Sequence, residues 1–111
     1  MGDTDREAMF VFGRFSMIED VNEAACNLLG YARSELVERH GSELMPPEAR
    51  RMAGLSVDQM RRGESEGCRG RLVRKDGSLV SVEVRARPLP KGRLILTVRP
   101  VPDDAGGRSS C

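Results

Sequence analysis

The sequence predicts an α+β fold: a five-stranded antiparallel sheet with helices inserted between strands 2 and 3. Three observations carry this. Two short apolar runs near the start are joined by about three residues, a block with helical spacing follows, and from residue 68 onward the hydrophobic period falls to two. At 111 residues the chain has room for one domain with one core.

The elements follow in order. Residues 1–7 are polar and read as a flexible lead-in. Met9 to Phe12 is the first apolar run, stopped by Gly13, and Met17 to Val21 is the second, so the pair reads as a hairpin. Asn22 is a good N-cap for a compact helix from Glu23 to Leu29, with Ala25, Leu28 and Leu29 on one face and Gly30 ending it. A further helical turn runs through Glu35, Leu36 and Val37, and Ser42 is placed to cap a short turn over Glu43 to Met45. Pro46 and Pro47 mark the start of a longer helix, Glu48 to Arg62, carrying Met52, Ser56, Val57 and Met60 on its apolar stripe. Gly54 inside that helix costs roughly 1 kcal/mol against alanine. It reads either as a point of close packing or as a thin wall beside a ligand.

After Gly67 the period is two. Cys68, Gly70 and Leu72 alternate with Arg69, Arg71 and Val73; Asp76-Gly77 then turns the chain, a strong hairpin signal. Val80, Val82, Val84 and Ala86 face one way along the next strand, with Ser81, Glu83, Arg85 and Arg87 opposite, as in a strand with one buried and one exposed face. Pro88 and Pro90 end it, and Arg93 to Val98 makes the last strand. The domain is therefore expected over residues 8–101, with 102–111 a disordered tail.

That order is similar to the PAS family. The matching positions are Ile18 to Ala25, Leu28-Leu29-Gly30-Tyr31, Ser34-Glu35-Leu36, Leu44-Met45-Pro46, Gly63-Glu64 and Arg74 to Ser78, which together span nearly the whole chain. Asn22, Gly30, Tyr31, Asp76 and Gly77 occupy structural corners within them. The resemblance therefore identifies a fold better than a function. It implies a signal-sensing module that dimerises or pairs with another PAS domain, docks on a partner, and serves an effector in the same or another protein.

The residues narrow the function further. No nucleophile motif or phosphate loop is present, and Glu19-Asp20, adjacent on a strand, point to opposite faces, so no catalysis is expected. The flavin-reactive cysteine of blue-light PAS domains has no counterpart in the segment Arg39 to Met45. Alignment with haem-binding relatives puts Met52 where their histidine stands, and a lone thioether is a poor haem ligand. No cofactor is expected; a haem or flavin sensor is the competing reading. A small pocket between the long helix and the sheet would be lined by Met52, Leu55, Ser56, Met60, Leu72, Val82, Val84, Leu96 and Val98. The alternative is that these residues simply fill the core.

Charge is uneven along the chain. Residues 1–48 hold ten acids and four bases, and residues 49–111 hold seven and fourteen. Arg69, Arg71, Val73, Arg85, Arg87 and Ile95 form an expected basic-apolar face. It is read as a dimerisation or docking surface, the acidic half of the chain being an alternative partner for its arginines. Nucleic acid is a weak candidate, because aromatic residues for stacking are few. Cys26, Cys68 and Cys111 fit neither a disulfide framework nor a metal site; the first two read as buried structural thiols and the last as an exposed one. Without a signal peptide or a span of about 20 apolar residues, the expected compartment is the cytoplasm, with no membrane partner.

Overall fold

The computed structural model describes residues 7–102; the expected flexible lead-in and disordered tail fall almost entirely outside the described residues. β1 (Ala8–Phe12), β2 (Ile18–Val21), β3 (Gly67–Val73), β4 (Leu79–Pro88) and β5 (Leu94–Pro100) form one antiparallel sheet in the order β2-β1-β5-β4-β3. Between β2 and β3 run α1 (Glu23–Leu29), α2 (Arg33–Leu36) and α3 (Arg50–Arg61), with single 3₁₀ turns at Gly41–Leu44 and Pro47–Ala49. The predicted fold class is the observed one.

Alternation decides which side of the sheet is covered. Ala8, Phe10 and Phe12 of β1, Val80 and Val82 of β4, and Leu94, Leu96 and Val98 of β5 are buried on one face. Ile18, Ala25, Leu29, Leu36, Leu44 and Met60 close over them from the second strand and the helical block. Phe10 and Phe12 meet edge to face, ring centroids 6.5 Å apart.

Several local expectations need correction. The long helix begins at Arg50, not Glu48, because Pro46 and Pro47 favour a tighter first turn, closed by the Ala49 N–H on the Pro46 carbonyl at 2.9 Å. The cap of the turn at Gly41 is His40, not Ser42: its Nδ1 accepts from the Ser42 N–H. Met17 stands outside β2 and instead bridges to His40. Cys68 is engaged in a disulfide, against the thiol expected there.

Asn22 shows how one residue can tie three segments. Its Oδ1 accepts from the Ala25 N–H, capping α1, and from the Met9 N–H, both at 3.0 Å. Its Nδ2 donates to the Glu7 carbonyl at 2.8 Å. At the other end of α1, Gly30 takes φ +79°, and the β3–β4 hairpin supplies the donors the helix lacks. Lys75 N–H donates to the Leu29 carbonyl at 2.8 Å and Arg74 Nε to that of Leu28 at 3.1 Å. Gly77, at φ +91°, closes this hairpin, and the Asp76 carboxylate accepts from the Ser78 N–H and hydroxyl. Tyr31 packs against the core with the Arg39 guanidinium 5.0 Å from its ring centroid.

Candidate functional site

A cavity of about 110 Å³ lies between the inner face of the sheet and the wall formed by α3 and the Gly41–Met45 segment. Of the residues predicted to line it, Ser56, Met60, Leu72, Val82, Val84, Leu96 and Val98 do so. Met52 and Leu55 do not: they are 52% and 54% exposed. A four-residue step overshoots a full helical turn by roughly 40°, so a stripe centred on Ser56 and Met60 has turned away by Met52. Leu55 lies a further turn of about 100° from its neighbour Ser56.

Sequence reasoning missed the walls that depend on the chain's tertiary path. Phe10 and Phe12 enter from β1, Ser16 from the β1–β2 turn, and His40, Gly41 and Ser42 from the loop before α3. Gly41 is there because nothing larger fits: a Cβ on it would stand 2.7 Å from the Phe12 ring. Gly54 also lines the cavity, yet a Cβ there would meet no atom within 4 Å. Close packing is therefore not its reason, and the thin-wall reading describes its position better.

The lining is apolar except at a few points. Ser56 is only 8% exposed, and its hydroxyl hydrogen-bonds to no described residue. His40 Nδ1 accepts from the Ser42 N–H at 3.1 Å and lies 2.8 Å from the Ser42 hydroxyl. In the neutral ring this leaves the proton on Nε2, as a donor. Ser16, at φ +62°, is held by Arg61, whose Nη2 reaches the Ser16 hydroxyl at 3.4 Å and the Gly13 carbonyl at 3.1 Å. The buried Nε of Arg61 has no partner among the described residues.

The cavity is well below the roughly 300–1,000 Å³ of ordinary ligand and cofactor pockets. Met52, aligned with a haem-ligand position, points away from it, and Tyr31 is not in its wall. Among the described residues, no cluster of His, Cys, Asp and Glu could hold a metal ion. Cys26 packs against the core, and burial pushes its thiol pKa up, which makes it a poor nucleophile.

The opposite face of the sheet carries the predicted arginines. Register places Arg69 beside Glu83, Arg71 beside Ser81, Val73 beside Leu79, Arg85 beside Thr97 and Arg87 beside Ile95. Next to them, Met9 and Val11 pair with Thr97 and Ile95, giving a half-buried apolar strip along the centre. Glu83 is bonded to Arg99 and approached by Arg69 at 3.9 Å. The bond to Arg99 holds its carboxyl below the usual carboxylate range. The sheet's other edge is neutralised locally: Glu19 pairs with Arg93 at 2.9 Å and Asp20 with Arg33 at 2.7 Å. Among the described residues, no helix is long and apolar enough to cross a membrane.

Comparison with known proteins gives one consistent result. A family model for the PAS domain matches residues 6–109. No curated protein matches the sequence. Among solved structures, a domain of a sensory box sensor histidine kinase/response regulator from Geobacter sulfurreducens is 25% identical. The match covers 84% of this chain and 82% of that one, with a TM-score of 0.76. The PAS domain of a LuxR-family transcriptional regulator from Burkholderia thailandensis, in complex with ethanol, is 22% identical over 86% and 88%, with a TM-score of 0.72. A quorum-sensing receptor PAS domain from Cronobacter turicensis, in complex with C12:0, is 15% identical over 87% and 95%, with a TM-score of 0.76.

Proposed function

The chain belongs to the PAS domain family, and from that premise we propose a sensory module that reads a small molecule in its core and docks through its sheet. Domains of this family are the sensory parts of signalling proteins and are in general not catalytic. The observation that carries the ligand reading is the cavity behind α3, whose walls come from four strands and a helix without filling the space between them. Protein interiors are close-packed, so a void of this size in a chain of this length needs a reason. Its volume is nearer to what ethanol, bound by the Burkholderia thailandensis relative, requires than to the C12:0 bound by the Cronobacter turicensis one. No haem or flavin and no catalytic step belong to this reading.

The second part of the reading rests on the outer face. An apolar strip of Met9, Val11 and Ile95 beside Arg85 and Arg87 suits a protein surface better than nucleic acid, since it offers no aromatic ring for bases. A second copy of the chain and a different signalling protein are both partners of the expected kind.

One preparation tests both parts. Freshly purified protein is expected to be colourless, at the mass of the polypeptide or twice it, and to show saturation transfer to a small alcohol probe in ligand-observed NMR. A visible absorption band with added mass would replace this reading with a cofactor sensor. Strongly salt-dependent retention on DNA would replace the docking part.

A further inference from the structure

The cavity joins hydrocarbon and one hydroxyl. Its walls are apolar at Met60, Val82, Leu96 and Val98, and Ser56, a residue 8% exposed, stands among them, its hydroxyl without a described partner. An occupant that offers an oxygen to that hydroxyl gains a hydrogen bond that a pure hydrocarbon cannot make.

We propose that the cavity selects a small uncharged amphiphile, a short alcohol or ketone, whose oxygen hydrogen-bonds Ser56 and whose alkyl chain lies on Met60, Val82 and Leu96. This rests on the reading that the cavity is a ligand site. Size sets the upper limit: a dry apolar cavity of about 150 Å³ accepts benzene, so about 110 Å³ takes about four or five heavy atoms. Charge sets the second limit. Arg61, spent on Gly13 and Ser16, does not line the cavity. Arg71 does, but it is exposed and in the outward register of β3, opposite Ser81. An anion inside would therefore face no cation, at a desolvation cost far above that of an alcohol. A pure hydrocarbon would enter but leave Ser56 as it is.

The probes are 1-butanol, propionate and n-pentane, each of five heavy atoms, titrated at pH 8 into wild-type protein and Ser56→Ala while methyl and amide NMR signals are followed. In the wild type, 1-butanol is expected to shift signals of Met60, Val82 and Leu96 and to bind at least tenfold more tightly than propionate. Ser56→Ala is expected to weaken 1-butanol roughly five- to tenfold, the worth of one neutral hydrogen bond, and to leave pentane unchanged or tighter. Propionate binding as well as butanol, or Ser56→Ala leaving butanol unaffected, overturns the proposed chemistry while the cavity stands as a ligand site. Failure of all three probes to shift those signals overturns the ligand site itself. The butanol–propionate comparison needs no variant, so it decides even if Ser56→Ala folds poorly.

Discussion

Along β4, successive residues lead into different environments. Val80, Val82 and Val84 turn toward the helices and the cavity, while Glu83, Arg85 and Arg87 turn to the open side. The two faces are held to different standards. On the inner face what matters is volume, because side chains interlock and one missing methylene is felt. On the outer face what matters is charge, spread over long side chains in water, where single pairs contribute little. A sheet with one face of each kind can keep a fixed interior while its exterior adapts to a partner.

The sharpest way to break this contrast is to truncate one side chain on each face. Leu94, fully buried on β5, is expected to cost about 2–5 kcal/mol when changed to alanine. Arg87, on the outward face of β4 opposite Ile95, is expected to move stability by less than about 0.5 kcal/mol. Urea denaturation measures both, and similar losses would erase the distinction between the faces. A smaller effect tests the wall of the cavity. Gly54→Ala meets no neighbour within 4 Å and removes a helix breaker, so a gain of about 0.8–1 kcal/mol is expected, read as a higher Tm. A loss there would mean that the helix needs its looseness.

The smallest effect belongs to the outer face and is electrostatic. Glu83 has its pKa depressed by Arg99, and Asp20 by Arg33. A depressed carboxylate contributes stability that is present above its unfolded pKa, near pH 4, and is lost as pH falls through the lower folded value. Stability is thus expected to be flat from neutral pH to about 5 and to decline only below that. Arg99→Ala should raise the Glu83 pKa toward its ordinary value in an NMR titration. An unchanged pKa would mean that the pair has no hold on the carboxyl in solution.

What the sequence made legible follows the same division. Strands with a clean period of two could be read down to which of Arg85 and Val84 faces out, but Ser81, expected on the exposed face, is buried. Asn22, Gly30 and Asp76-Gly77 were legible because capping and turn geometry admit few residue types. The cavity was only partly legible. Ser56, Met60 and the strand residues follow from periodicity, but Met52 and Leu55 were misplaced, because a stripe fixes a helix's face and not how far its neighbour extends along it. His40, Gly41 and Ser42 were out of reach altogether. Their place in the wall depends on a loop whose course is set by Phe12, a residue from the other end of the domain.

The strand order carries a last consequence. β5, the final strand, lies at the middle of the sheet, and it is the inner neighbour of β1, with Ala8 opposite Val98. The seam of the sheet is therefore closed by the last of its five strands. A ribosome must release about ninety residues before the first strand finds its second partner, and a chain cut short before Leu94 exposes Phe10 and Phe12 on an open edge. Folding of this kind goes to completion or not at all, and a stalled nascent chain is an aggregation hazard.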